Sequence, residues 1–298
     1  MEIFVILSKK VSGHTTENAL GHELHLTRYI LYDMLQKNII DNNVNIVTNS
    51  KDRFFLYSNI FTKIHEWNDY IKNKTINNNI KVIDLTKYSS GLMIEHISDK
   101  FERTSKLVDY INNINIINLN ENEKYKSIIE NDFIVVHYRF SMVNSDTKIT
   151  HNGNTQNLFK IIDKIRKHTN NTIVIFCSKL PNDEKVQKDL ECKNIVVIDD
   201  LQCYASFLSN KKCKLLISEW SGGGQLSQYC LDGGKIIYYF DYYPSNDYEL
   251  NFDSYQKNAN LPNNIFNYWD FKTTRNNERE YYKTFDLMIN DLSKNFNN

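Results

Sequence analysis

Residues Lys214–Cys230 read KLLISEWSGGGQLSQYC: an apolar strand runs into three consecutive glycines and then into a helix start that carries Ser and Gln. The chain has nine glycines, so three in a row mark a place where the backbone goes where side chains would obstruct it. A glycine triplet lets N–H groups approach a ligand closely and tolerates positive φ. The helix that follows offers unpaired N–H groups and the positive end of its dipole. That is a phosphate-binding geometry. It is equally a tight strand-to-helix turn without a ligand, and the rest of the chain has to decide between the two.

Working outward, 298 residues with 41% apolar content suffice for two domains with real cores. The net charge of zero leaves no basic excess to neutralise a nucleic-acid backbone, although a local patch can hold one or two phosphates. Asn runs such as Asn77–Asn79 reflect an AT-rich coding bias, because apolar periodicity continues between them. The start, MEIFVILSKK, is too short for a signal h-region, and no later apolar run reaches membrane length, so a soluble, cytoplasmic protein is expected. Cys177, Cys192, Cys203, Cys213 and Cys230 lie mostly among apolar neighbours without any CxxC pair. They read as reduced, buried side chains, and no metal site is expected.

Strand and helix alternate through the first 120 residues: strands at 3–7, Val44–Thr48 and Lys81–Leu85, with helical periodicity around Leu24–Leu35, over Ile60–Ile71 and over Ile97–Ile111. The stretch 112–131 holds no sustained period and marks a junction. A second series follows, with strands at Phe133–Tyr138, Thr172–Cys177, Asn194–Ile198, Lys214–Ser218 and Lys235–Phe240. Helices are expected between them at Thr155–His168, Asp183–Leu190, Leu201–Ser209 and after the glycines. Residues 241–277 are aromatic and Asn-rich, and an amphipathic helix is expected over Glu278–Phe296. The fold class is therefore α/β with two facing Rossmann-like domains. An acceptor domain would span 1–125 and a donor domain 126–277, with 278–298 a final helix able to cross back onto the first domain.

In such folds the loops beyond the strand C-termini carry the chemistry. The loop after the first strand holds His14, Glu17, His22, Glu23 and His25, any of Glu17, His22, Glu23 or His25 being available as a general base, or simply solvated charge in a helical first turn. HELH is not a zinc-protease motif, since its histidines are three apart rather than four. In VVHYRF, alternation puts His137 and Arg139 on one face. A strand-end Arg suits a diphosphate through its planar, permanently charged fork, or else pairs with an acid across the domain boundary. Ser178 and the pair Asp199–Asp200 follow two further strands. The Asp pair can receive a ribose hydroxyl or cap the next helix. Glu219, before the glycines, can meet a ribose diol or brace the backbone.

With VVHYRF, TIVIFCSK and CKLLISEWSGGGQLSQY in that order, residues 130–240 resemble the donor-binding half of GT-B glycosyltransferases of the fucosyltransferase superfamily. The resemblance implies that Arg139 binds the β-phosphate of a nucleotide sugar and stabilises the departing diphosphate, with His137 shaping the pocket. It implies that Ser221, Gly222, Gly223, Gly224 and Gln225 hold the phosphates, and that Ser178 with Asp199 or Asp200 lies near the nucleoside. Such enzymes are typically inverting and need no metal or other cofactor, in keeping with the absence of a DxD motif. The family often continues Arg-Gly-Asp after the matching Arg. Here Phe140-Ser141 stand instead, with Asp146 the next acid.

The expected activity is transfer of a sugar, foremost fucose from GDP-fucose, to a glycan or protein hydroxyl. Arg139 with Glu17 or His22 would be catalytic, and His14, Glu17, Glu23 and His25 would face the acceptor. The alternatives are a GT-B nucleotide-sugar epimerase and a two-lobed module that binds a phosphorylated ligand or glycan without turnover.

Overall fold

The computed structural model describes residues 2–10, 16–17, 20–74, 79–88, 104–140, 154–177, 188–190, 194–219, 221–239, 277–282 and 284–296. The chain divides into two units, Met1–Ile117 with Lys272–Thr274, and Asn118–Phe271 with Arg275–Asn298. The division falls eight residues before the expected boundary. The aperiodic stretch contains a helix, α5 (Glu123–Ile129), whose Tyr125 ring meets the edge of Phe207 at 5.3 Å and so joins the second unit.

In the first unit, β1 (Glu2–Ile6), β4 (Asn45–Thr48), β5 (Ile64–Glu66) and β6 (Ile80–Asp84) form a parallel sheet in the order β5-β4-β1-β6. The helix expected over Ile60–Ile71 is instead the three-residue β5 running directly into α3 (Trp67–Lys74). An edge strand of three residues leaves too little alternation to read. After β1 come β2 (Lys9–Lys10) and β3 (Thr16–Glu17), an antiparallel pair that sets Lys9 opposite Glu17. Helix α1 (Leu20–His22) then passes through a π turn, Glu23–Thr27, into α2 (Arg28–Gln36). Tyr29, Leu31, Tyr32 and Leu35 bury one side of α2 against α4 (Ser105–Asn112), and Tyr32 stacks on Tyr110 at 5.7 Å. Thr104 caps α4 by accepting from the Leu107 N–H at 3.1 Å.

The second unit holds six parallel strands: β7 (Phe133–His137), β8 (Thr172–Phe176), β9 (Ile195–Ile198), β10 (Cys213–Glu219), β11 (Lys235–Tyr239) and β12 (Glu278–Tyr282). Their order is β12-β11-β10-β7-β8-β9. The near-continuous apolar sequences of β7 to β11 match burial on both faces, while β12, EREYY, is only partly buried. Helix α6 (Thr155–Arg166) contributes Leu158, Ile161, Ile162 and Ile165, one helical stripe with no exposure, and Asn154 caps it through the Asn157 N–H at 2.8 Å.

The segment expected as one helix over Glu278–Phe296 begins as the strand β12. Lys235 ties Glu278 and Glu280 at 2.9 and 2.7 Å, two residues apart and hence on one face, and Tyr238 stacks on Tyr281. Helix α10 (Phe285–Asp291) follows, and its Phe285 and Met288, with Leu292 in the 3-10 turn just after it, are buried in the core of the same unit with Ile161 and Ile165. That apolar face is buried within the second unit. Met288→Ala is expected to destabilise the second unit by about 3 kcal/mol in urea titration, since a fully buried Met is lost without room to collapse.

Among the described residues, no helix is long and apolar enough to cross a membrane. Cys177, Cys203, Cys213 and Cys230 are buried and form no disulfide among the described residues, and Cys192 lies outside them.

Candidate functional site

The strand order of the second unit dictates where a ligand can sit. From β7 the chain moves outward through β8 and β9, then returns to place β10 on the other side of β7. Connections leaving in opposite directions open a crevice at the C-terminal ends of β7 and β10, the switch point of a doubly wound sheet. Both of the sequence's strongest features lie there. His137 is the last residue of β7, Arg139 follows two residues later, and the glycines follow β10.

His137 is 4% exposed and sits opposite Ser218 in the β7–β10 register, with Nδ1 2.9 Å from Ser218 Oγ. Ser218 Oγ donates its one proton to the Glu219 carbonyl at 2.7 Å, so the imidazole donates to Ser218 from a protonated Nδ1. The ring is stacked near Phe176 (5.5 Å) and Tyr204 (5.8 Å), which themselves stack at 4.3 Å. Burial, then the proximity of Tyr238, holds the Tyr204 hydroxyl well above the ordinary phenol range. Burial also raises the Cys177 thiol, at the end of β8, to about 12. Neither group ionises near neutrality.

The glycines follow as α8 (Gly222–Gln225), continued by α9 (Ser227–Cys230), with Ser221 extended at the start. None of the three has positive φ; the left-handed glycine among the described residues is Gly233. Close packing is what demands Gly223 and Gly224. A Cβ on Gly223 would lie 2.5 Å from His137 Nε2, and one on Gly224 would strike Ser218 Oγ and sit 2.6 Å from the Glu219 carbonyl. Gly223 and Gly224 therefore pack directly on the ends of β7 and β10. Ser227 Oγ donates to the Gly224 carbonyl at 2.7 Å, and the Tyr238 hydroxyl lies 2.8 Å from Ser227 Oγ and 3.2 Å from the same carbonyl. Sequence reasoning passed over Ser227 and Tyr238. The signal was a hydroxyl three residues beyond a helical glycine.

No protein-family model matches the chain, and no curated protein sequence matches it. A solved structure of a glycosyl transferase family 9 protein from Veillonella parvula matches 98% of this chain and 89% of its own, with a TM-score of 0.50 at 14% identity. The heptosyltransferase WaaC of E. coli, solved with ADP, matches over 99% of this chain and 100% of its own, with a TM-score of 0.49 at 10% identity. The chain has the GT-B fold. The expected α/β class thus stands, with a parallel, Rossmann-like sheet in each unit.

Within this GT-B chain the remaining candidate residues separate by environment. Arg139 is half-buried and has no hydrogen bond or ion pair with any described residue. Ser221 is 6% exposed, and its Oγ has no hydrogen-bond partner among the described residues. Glu219 is buried at the end of β10, and Gln225 is 8% exposed. Asp200 is the cap of α7 (Leu201–Leu208), accepting from the Cys203 N–H at 2.6 Å, while Asp199 is exposed at the sheet edge beyond β9. Ser178 and His14 lie outside the described residues, as do the side chains of Glu17, His22 and His25.

Glu23 has a different fate from the general base it resembled. It is fully buried, paired with Arg53 and accepting from the Tyr57 hydroxyl at 2.6 Å. The buried Arg28 beside this group reaches the Ile111 carbonyl at 2.6 Å. Burial, with the Glu23 charge adding to it, holds the Tyr57 hydroxyl well above its usual range. A carboxylate so committed anchors the unit's interior.

Proposed function

We propose that the chain is a glycosyltransferase that takes its sugar from a nucleoside-diphosphate sugar, the diphosphate lying at the β7–β10 switch point against Arg139 and the Ser221–Gln225 turn. One observation carries the reading. Immediately beyond two adjacent strand ends stand, among the described residues, a half-buried guanidinium without an ionic partner and a buried hydroxyl without a hydrogen bond. An unmet buried hydroxyl costs about 1–3 kcal/mol, a cost that a phosphate oxygen removes. The GT-B fold supports the same reading.

In this reading Arg139 is the electrostatic element. As the bond to the sugar lengthens, negative charge grows on the diphosphate, and a guanidinium already fixed in the site stabilises it without reorganisation. An acceptor hydroxyl of a glycan or protein attacks the anomeric carbon from the opposite face, with inversion, and its proton passes to a general base. Glu17, His22, His25 and His14, in the segment after β1, are the candidates for that base and for acceptor contact. Glu23 is no longer among them. GDP-fucose, the donor implied by the resemblance at VVHYRF, is the first to test.

Thermal unfolding of the full chain with GDP, UDP, ADP, CMP and their sugars is the direct measurement. One nucleoside diphosphate at a hundred times its Kd is expected to add about 2.7 kcal/mol of stability, a rise of about 5 °C or more. Its release from the matching sugar nucleotide should depend on added acceptor. Absence of protection by every nucleotide overturns the reading.

A further inference from the structure

We propose that His137 does not touch the ligand but is the positioning residue on which the glycine turn is moulded, held as a single tautomer with its proton on Nδ1. The inference rests on the donor-site reading for its functional consequence and on packing for its structural one. Three observations meet at this ring. Ser218 fixes its Nδ1 edge, since the hydroxyl's proton is spent on the Glu219 carbonyl. Phe176 and Tyr204 fix its plane. Its opposite edge, Nε2, is where a Cβ at Gly223 would arrive, with Cδ2 and Cε1 each 3.1 Å away. The turn therefore rests on the imidazole edge with no space between, and the ring's position sets where the N–H groups of Gly222–Gly224 point, the Gln225 N–H being donated to the Ser221 carbonyl. Gly223 is glycine because of His137, not because a phosphate needs the room.

A cycle of variants tests this with GDP, UDP or ADP, whichever binds the wild type, by calorimetric titration and in parallel by melting temperature. Gly223→Ala alone is expected to weaken binding about tenfold, because the new methyl displaces the turn from the ring. In a His137→Ala background, where the ring is gone, the same substitution should change affinity by less than about twofold. Equal losses in both backgrounds would mean that Gly223 serves the ligand directly, and would overturn the proposal.

Should Gly223→Ala fail to fold, Ser218→Ala supplies the second pair. It should weaken binding about fivefold alone and have no further effect beside His137→Ala; independent, multiplying effects refute the template. If no nucleoside diphosphate binds the wild type, the functional reading fails on its own, and the melting-temperature cycles still decide the packing. Sub-additive losses keep His137 as the support of the turn, and additive losses remove it.

Discussion

Arg139→Ala is expected to slow release of nucleoside diphosphate from the donor by about a thousandfold and to abolish the thermal protection that the diphosphate confers. The magnitude follows from the role. A guanidinium aimed at charge that appears only as the sugar departs stabilises the transition state more than the bound donor, so turnover suffers beyond affinity. The substitution should leave the unliganded fold within about 0.5 kcal/mol of the wild type, because Arg139 is half-buried and makes no ion pair with a described residue. Arg139→Lys keeps the charge and loses the planar fork, and should fall between the two. Retention of turnover within about twofold in the alanine variant would remove Arg139 from the mechanism.

The second large effect is on stability. Glu23→Ala leaves the Arg53 guanidinium and the Tyr57 hydroxyl without the carboxylate that both contact in a buried setting. A buried ion pair broken on one side costs about 3–5 kcal/mol, enough to unfold a marginal domain. Replacing both partners together, Glu23→Leu with Arg53→Met, should recover most of that loss, since no buried charge then stands alone. Urea unfolding followed by far-UV circular dichroism reads both. The contrary result, intact stability with lost turnover, would return Glu23 to the general-base role that its sequence neighbourhood suggested.

That reversal shows what could be read from residues and what could not. The strands of the second unit were legible because runs such as Ile134–Val136 and Leu215–Ile217 are apolar without interruption, and the turn after β10 was legible from its glycines. Their meaning was only half legible. Glycine in sequence advertises permissive φ and close approach alike. The structure has no positive φ in the triplet and assigns the close approach at Gly223 to His137, remote in sequence, and at Gly224 to Ser218 and the Glu219 carbonyl just before it. Asp200 could be read as a cap, the favoured reading, or as a ligand, and the hydrogen bond it accepts from the Cys203 N–H shows the cap. Glu23 looked solvated because its partners Arg53 and Tyr57 lie 30 and 34 positions away, beyond any local pattern. Strand β12 was hidden because EREYY alternates weakly, and its identity comes from Lys235 and Tyr238 on the neighbouring strand.

The order of the second sheet also sets a schedule for its making. Strands β7 to β10 are consecutive in synthesis, so the switch point can assemble once Tyr238 has emerged to hold the Gly224 carbonyl. β12 pairs parallel to β11 from the far side of residues 240–276 and brings with it α10 and the turn after it, whose Met288 and Leu292 complete the core. Until then that core stays open to solvent on one side, and closing it requires segments far apart in sequence to meet. A nascent chain paused before residue 278 would therefore carry a formed crevice on an unfinished unit. The last-made strand and helix lock the domain, and the period before they arrive is when the chain depends most on protection from aggregation.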